Sequence, residues 1–282
     1  MAATLNLVGA GHVGRVLGRL FAARGAFAVQ DVLTRSLASG AAAVGFIGAG
    51  SACADGAAMR PARAWLLAVG DDQIEPACAA LAGAQGERLR GAVVFHCSGA
   101  KASHALAAAR EQGALVASVH PIRSFADPEA VAGSFDGTYC GIEGDAGALA
   151  LLEPAFAAIG ARSVPIDAAA KTVYHAAAVF ASNYLTTVLD AALRAYGAAG
   201  VPDDVARELA RPLATETLAN VFRLGPAAAL SGPVARGDIA TVTRQQEALL
   251  AWDEPTGHLY EALVAATTDL ARRKHAAARQ GG

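Results

Sequence analysis

Short apolar runs alternate with helically spaced apolar positions along the first 167 residues of the chain. Buried strands are predicted at 5–8, 28–33, 42–47, 64–69, 91–96, 115–119, 138–143 and 162–166. Between several of them, apolar residues recur every three or four positions, which predicts helices at 12–21, 74–81 and 146–159. Strands that alternate with helices favour an α/β fold, a mostly parallel sheet with helices on both faces.

From Asp167 onward the pattern is helical only, which predicts an all-α C-terminal domain. Helices are predicted at 168–196, 203–224, 238–251 and 254–278, with a kink or break at Pro212. We therefore place the domain boundary after residue 167, with residues 1–167 and 168–282 as the two domains. The apolar, alanine-rich helical half leads us to expect a homodimer, and its first helix is expected to pack directly against the sheet domain.

A glycine turn follows the first predicted strand and precedes the first helix. Its residues are Gly9, Ala10, Gly11, His12, Val13 and Gly14. The first glycine permits a tight turn, the second lets the backbone approach a pyrophosphate, and the third lets the helix pack closely on the strand. The helix N-terminus adds unpaired N–H groups for the phosphates. The turn predicts a Rossmann-type dinucleotide site, to which Val69 and Ser98 at later strand ends contribute.

The tip of the second predicted strand indicates which dinucleotide binds. An NAD site usually carries an acid there, but Asp31 lies inside the strand and the tip holds Thr34, Arg35 and Ser36. A guanidinium flanked by two hydroxyl groups suits a 2′-phosphate, so NADP(H) is favoured over NAD(H). The alternative is a solvated loop arginine.

Polar residues at two later strand ends are candidates for substrate binding, because ligands of open parallel sheets lie beyond the carboxyl ends of the strands. Ser98 and Gly99 follow one strand and His120 follows the next. Ser98 has a helix N-cap as its alternative role. His120 is equally compatible with a hydrogen-bonded structural histidine before a proline.

The first long helix of the C-terminal half carries a polar stripe. At 3.6 residues per turn, Lys171, His175 and Ser182 share a narrow arc and Asn183 lies beside it. A lysine on an apolar helix is costly to bury without a purpose. We therefore predict that Lys171 and His175 are catalytic and that Ser182 and Asn183 bind substrate, the alternative being a stripe that faces water. Arg236, in the Gly/Pro-rich turn at 231–238, either reaches a substrate pocket or belongs to a structural loop.

Composition narrows the function further. The formal net charge of −2 and the pI near 6.4 give no reason to expect a nucleic-acid partner. The four cysteines lie far apart without metal-binding spacing, so no metal site is expected and a reducing compartment is indicated. Neither a leader segment nor an uninterrupted membrane-spanning run is found, and the expectation is a cytoplasmic protein without a membrane partner.

The motifs GAGHVG, LLAVGDDQI, HCSGA, SVHPIRSF, KTVYHAAAVFASNY and SGPVARGD occur in that order. Together they resemble a bacterial family with a Rossmann-like N-terminal domain and a C-terminal helical domain of unknown function. The chain is more distantly similar to pyrroline-5-carboxylate reductase, ketopantoate reductase and the β-hydroxyacid and 6-phosphogluconate dehydrogenases. That resemblance implies an NAD(P) domain joined to a helical domain that often builds a dimer.

The resemblance to the β-hydroxyacid dehydrogenases also implies residue roles. Lys171 matches their catalytic lysine, but His175 stands where they carry an asparagine, which changes the hydrogen bonding offered to a substrate. Ser98 and Gly99 match a substrate-binding serine-glycine pair.

The sequence therefore predicts an NADP(H)-dependent oxidoreductase that transfers a hydride to or from a small C=O or C=N substrate in the interdomain cleft, with Lys171 or His175 as the proton donor. One alternative is a non-catalytic NADP-binding sensor or interaction protein on the same fold. Another is a synthase or epimerase that keeps its cofactor bound.

Overall fold

The computed structural model describes the backbone of residues 2–280 and the side chains of residues 2–276. Its strands are β1 Ala3–Val8, β2 Phe27–Leu33, β3 Ser51–Cys53, β4 Ala64–Leu67, β5 Val93–His96, β6 Leu115–Pro121, β7 Tyr139–Gly144 and β8 Arg162–Pro165. They form one sheet in the order β3-β2-β1-β4-β5-β6-β7-β8. All neighbouring pairs are parallel except β6 with β7, which confirms the mostly parallel α/β sheet.

Helices cover both faces of the sheet and make up the C-terminal half. They are α1 His12–Ala23, α2 Leu37–Ile47, α3 Ile74–Gln85, α4 Ala107–Glu111, α5 Pro128–Gly133, α6 Ala146–Ala158, α7 Lys171–Val179, α8 Leu185–Ala198, α9 Asp203–Leu224, α10 Pro226–Ala229, α11 Pro233–Arg236, α12 Ile239–Trp252 and α13 Glu254–Gln280. A π-helical turn at Phe180–Tyr184 joins α7 to α8. The all-α character predicted for this half is confirmed.

Alternate residues of the strands enter different cores. In β4, Ala64 and Leu66 pack into one apolar cluster, whereas Trp65 and Leu67 pack into another. All four are buried, as expected for a strand covered on both faces. This two-sided packing leaves the ends of the parallel strands as the place for polar chemistry.

One strand predicted from the pattern was wrong. Residues 42–47 were predicted as a strand but lie in α2, which Ser36 caps by accepting a hydrogen bond from the backbone N–H of Ser39. A short apolar run without periodicity does not distinguish a buried strand from a buried helix. Of the kink or break predicted at Pro212, the break is absent, since α9 runs continuously from Asp203 to Leu224. The three-residue edge strand β3 was not predicted.

The chain divides into two compact units, Met1–Ser182 and Asn183–Gly282. The predicted boundary after residue 167 follows the last strand, whereas the compact units divide within the long helical segment. The first unit retains α7 because Lys171 and Tyr174 hydrogen-bond to residues of the sheet and its loops.

One helical run among the described residues, Ala168–Ala198, has the length and mean hydropathy, 1.3, of a membrane span. The run resembles a membrane span in length and composition only. Lys171, near its start, sends its ammonium group into hydrogen bonds with sheet residues, as in a helix packed on a folded domain.

Candidate functional site

The glycine turn has the geometry that its sequence requires. Gly9 has a φ of +84°, and a Cβ there would lie 2.6 Å from the carbonyl oxygen of Ala68. A Cβ on Gly14 would lie 2.6 Å from the Cβ of Ala68, so this glycine lets α1 approach β4. A Cβ on Gly11 would meet no protein atom within 4 Å, which leaves that backbone open towards a ligand.

Three neighbouring cavities that share lining residues form a groove over this turn. The central cavity, about 700 Å³, is lined by Gly9, Ala10, Gly11, Arg15, Thr34, Arg35, Ser39 and Val69, among others. A mostly apolar cavity of about 470 Å³ shares Gly9, Thr34, Arg35 and Val69 and adds residues such as Leu33, Ala80 and Leu81. A third, of about 260 Å³, is lined by Gly11, His12, Val13, Asp71, Cys97 and Ser98, among others. The groove thus runs from an apolar end, past two arginines, to the loop after β5.

The predicted trio at the tip of β2 is divided in the structure. Thr34 and Arg35 line the groove. Ser36 does not line it, because its hydroxyl caps α2, and the nearby Ser39 lines the groove instead. The hydroxyls of Thr34 and Ser39 lie 2.8 Å apart. Both hydroxyls donate to the carbonyl oxygen of Ser36, at 2.8 Å from Thr34 and 2.9 Å from Ser39. The guanidinium of Arg35 is therefore the donor at this end of the groove that is suited to a phosphate.

Asp31 is held away from the groove by Arg60. Its carboxylate accepts hydrogen bonds from the backbone N–H of Arg60, at 2.7 Å, and from Nη2 of the same residue, also at 2.7 Å. Burial raises the pKa of Asp31, but the hydrogen bonds from Arg60 outweigh it, so the pKa lies below its ordinary value. The acid in β2 is thus committed to a structural pair, as its place inside the strand predicts.

At the other end of the groove, Ser98 and Gly99 have structural tasks. The hydroxyl of Ser98 accepts hydrogen bonds from the backbone N–H groups of Ala100 and Lys101, which fixes the loop after β5 and is not the predicted helix N-cap, because the next helical turn begins at Ser103. A Cβ on Gly99 would lie 2.4 Å from Nδ1 of His175 and 2.8 Å from Cε1 of His120. Gly99 therefore lets two histidines from distant segments approach the end of the groove.

A cluster of three aromatic side chains packs at that point, and we call it the histidine-tyrosine cluster: His120, Tyr174 and His175. Nδ1 of His120 lies 2.9 Å from the hydroxyl oxygen of Tyr174, and the two imidazole rings are 5.8 Å apart between centroids. Burial, the neighbouring His175 and Lys171 together lower the pKa of His120 to about 4. Burial raises the pKa of Tyr174 to about 12. At neutral pH the cluster thus contains a neutral imidazole beside a protonated phenol.

Lys171 lies below this cluster with its ammonium group buried. The side chain is 2% exposed, and Nζ donates to the carbonyl oxygen of Ser98 at 3.0 Å and to the hydroxyl of Ser118. Nζ also lies 3.6 Å from Oε1 of Glu143. Burial lowers the pKa of Lys171, and Glu143 opposes that shift. The ammonium group thus has two hydrogen-bond acceptors and one ion-pair partner among the described residues.

Three other residues predicted to bind substrate, Ser182, Asn183 and Arg236, are not among the residues that line the groove. Ser182 and Asn183 are exposed and belong to the π-helical turn, where the pitch of 3.6 residues used to align them with Lys171 no longer holds. Arg236 is exposed at the end of α11 in the second unit, and Asp238 caps α12.

Sequence reasoning missed several residues of the site. Tyr174 lies three positions after Lys171, so helical spacing placed it on the same face. Glu143 is an acid inside an apolar strand, which is itself a signal of a buried partner. Arg15 and Ser39 carry no signal until the groove is formed.

The glycine turn and the sheet order define a Rossmann-type α/β domain. Residues 2–121 match the Rossmann-like domain family, and residues 138–267 match the domain of unknown function DUF2520. The chain therefore joins a Rossmann-like domain to a DUF2520 domain, as the resemblance in its motifs predicts.

Solved structures with the same fold span nearly the whole chain. A candidate NADP oxidoreductase from Bacteroides fragilis is 21% identical, with a TM-score of 0.78 over 95% of this chain and 98% of that one. The imine reductase of Myxococcus stipitatus in complex with NADP+ is 16% identical, with a TM-score of 0.64 over 97% and 94% of the two chains. Pyrroline carboxylate reductase of Plasmodium falciparum with NADP bound is 11% identical, with a TM-score of 0.57 over 95% and 98%. No curated protein matches the sequence.

Proposed function

We propose that the protein is an NADP(H)-dependent oxidoreductase that transfers a hydride to or from a small C=O or C=N compound. The observation that carries the proposal is the continuity of the groove with the histidine-tyrosine cluster. The groove ends at Ser98, and the next residue, Gly99, packs against His120 and His175. A dinucleotide site thus lies beside groups that exchange protons.

The fit of the groove to a dinucleotide rests on its glycines and its cations. A side chain at Gly9 or Gly14 would clash with Ala68, so both positions require glycine. Gly11 leaves space for a pyrophosphate to approach the backbone. Arg15 and Arg35 line the same cavity. When bound there, NADP(H) supplies the hydride chemistry.

NADP(H) is proposed over NAD(H) because Arg35 and Ser39 line the groove while Asp31 is paired with Arg60. The structural neighbours include both cofactors, since the Myxococcus imine reductase has NADP+ and its V8 variant has NAD+. The preference therefore rests on the residues of this chain.

We assign the proton exchange to Tyr174 and His175. The hydroxyl of Tyr174 is oriented by Nδ1 of His120, which is also suited to hold the phenol as its proton leaves. Nδ1 of His175 is buried without a hydrogen-bond partner among the described residues, so this ring is not committed to a structural hydrogen bond through that nitrogen. Of the predicted catalytic pair, His175 therefore retains a role in proton exchange, whereas Lys171 does not.

The same geometry and the names of two neighbours support the proposed substrate class. A neutral imidazole and a phenol bind an uncharged C=O or C=N group by hydrogen bonds and leave its reacting carbon free. Two of the structural neighbours are named as reductases of C=N compounds, an imine reductase and a pyrroline carboxylate reductase.

The test is NADPH oxidation, followed by absorbance, against a panel of cyclic imines, small keto acids and aldehydes. We expect turnover of at least one class by the wild type and strong loss in Tyr174→Phe and His175→Asn, with NADPH binding retained. Tight NADPH binding without turnover in any member would instead favour the non-catalytic sensor. Turnover of a substrate without net NADPH oxidation would favour a synthase or epimerase.

A homodimer through the helical half belongs to the same proposal. Large apolar side chains are exposed there, with Phe222 87%, Ile239 77% and Leu213 61% exposed. Large exposed apolar side chains are the material of interaction surfaces, which supports the proposed dimer. A mass near twice 28.3 kDa in light scattering is expected, and Phe222→Glu should lower it. A cytoplasmic location remains part of the proposal as well.

A further inference from the structure

The helix that carries Tyr174 and His175 has little apolar anchorage of its own. Of the nine residues in α7, Lys171 is the buried one. Val173 is 76% exposed, and the chain continues into the exposed π-helical turn. Within the first unit, the position of α7 therefore depends on polar contacts to a degree that is unusual for a helix on a sheet.

The ammonium group of Lys171 connects three segments of the sheet edge. It donates to the carbonyl oxygen of Ser98 after β5 and to the hydroxyl of Ser118 in β6, and it pairs with Glu143 in β7. Ser118 and Glu143 are directly opposite one another in the β6–β7 register. Lys171 thus contacts three adjacent strands, or the residues that follow them, through one ammonium group.

Glu143 cannot follow the lysine if it moves, because its carboxylate is itself held. Oε1 accepts the backbone N–H of Ser103 at 2.8 Å, and Oε2 accepts the hydroxyl of the same residue at 2.7 Å. Glu143 is 8% exposed, so its charge depends on Lys171 and Ser103 for compensation. The pair is therefore a fixed point to which α7 is attached.

The first turn of α7 also determines the positions of Tyr174 and His175 in the cluster. Tyr174 and His175 lie three and four residues after Lys171, on the face directly above it. Their contacts, the 2.9 Å approach of Tyr174 to His120 and the packing of His175 on Gly99, lie one turn from the ammonium group.

We propose that Lys171 is a positioning residue, which together with Glu143 fixes the first turn of α7 on the strand ends and so places Tyr174 and His175 for proton exchange. This inference rests on the proposed function, and it replaces the catalytic role that the sequence predicts for Lys171. A proton donor would have to reach a substrate, whereas this ammonium group is buried, donates to Ser98 and Ser118 and pairs with Glu143.

The test compares Lys171→Met, Glu143→Gln and the double variant. Lys171→Met leaves a buried charge unpaired on Glu143, and removing one member of such a pair is far more disruptive than removing the charge of both. We expect the single lysine variant to lose about 100-fold in turnover through misplacement of the cluster, and the double variant to regain about tenfold. Lys101→Met, which breaks the half-exposed pair with Glu75, is the matched control and should stay within about twofold.

A readout independent of activity is the set of imidazole NMR resonances of His120 and His175. We expect these to shift in Lys171→Met, to return towards the wild type in the double variant, and to stay unchanged in Lys101→Met. Lost turnover with unshifted resonances, and no recovery in the double variant, would identify Lys171 as the proton donor and overturn the proposal. If the wild type reduces nothing in the panel, the proposed function fails, but the resonances still decide whether Lys171 positions the cluster.

Discussion

The Arg35 end of the groove and the histidine-tyrosine cluster both lie at the carboxyl ends of parallel strands but are built differently. At the first, Gly9 and Gly11 present backbone, and Arg35 has no ion-pair partner among the described residues. At the second, the half-buried His120 contacts the hydroxyl of Tyr174, and the buried Lys171 beside the cluster donates to Ser118. Under the proposed function, the groups that bind the cofactor are left without protein partners. The groups that exchange protons are instead held by contacts with other side chains. Substitutions at the two ends should therefore fail in different ways.

Removal of the Tyr174 hydroxyl should have the largest effect on activity. Tyr174→Phe keeps the ring that packs near His120 and deletes the proton donor, so we expect turnover to fall about 1000-fold, within the range for a positioned acid. NADPH affinity should be unchanged. Tyr139→Phe is the control, because Tyr139 is 49% exposed on the neighbouring strand. Unchanged steady-state turnover in Tyr174→Phe would refute its role.

Acid should destabilise the fold through the buried histidines. Burial, with a smaller effect of Lys171, lowers the pKa of His96 to about 4, whereas an unfolded histidine has a pKa of about 6.5. Between these values the unfolded chain binds the extra proton, so this contribution to stability is complete above pH 6.5 and is lost as the pH falls to 4. For His96 the loss amounts to about 3 kcal/mol.

Urea unfolding at several pH values measures this effect. The stability of His96→Asn should fall less steeply between pH 6.5 and 4 than that of the wild type, by about 1.4 kcal/mol per pH unit. His104→Asn is the control, because that side chain is exposed. Equal slopes in the wild type and His96→Asn would contradict a neutral, buried His96.

Alanine substitutions of Gly9 and Gly11 should affect different properties, the first the stability of the fold and the second the affinity for NADPH. Gly9→Ala combines a positive φ with a Cβ 2.6 Å from the oxygen of Ala68, and should lower the free energy of unfolding by about 2 kcal/mol or more. Gly11→Ala meets no protein atom within 4 Å, so it should keep the wild-type Tm and lose NADPH affinity. Thermal unfolding and NADPH titration of both variants provide the check. A lower Tm for Gly11→Ala would show that this glycine is structural.

How much the sequence revealed depends on how local the information is. The turn from Gly9 to Gly14 lies within six consecutive residues, so spacing and chemistry were sufficient to predict it. The histidine-tyrosine cluster brings Gly99, His120 and Tyr174 together only after β5, β6 and α7 have packed, and no local pattern records which partners meet. For the same reason Lys171 was recognised as unusual, but its acceptors were not predicted. The α2 segment shows the opposite limit, since its apolar run fits helix and strand equally.

Arg35→Ala should have the smallest effect, and it is confined to one cofactor. A guanidinium in a charge-assisted hydrogen bond with a 2′-phosphate is worth about 1.5 kcal/mol or more, so the Kd for NADPH should rise about tenfold. NADH has no such phosphate, and its Kd should change by less than about twofold. Arg88→Ala, at an exposed position outside the groove lining, controls for the loss of one positive charge. Equal loss for both cofactors would mean that Arg35 contacts the part of the dinucleotide that they share, and the openness of this end would then serve binding in general and not the choice of NADP(H).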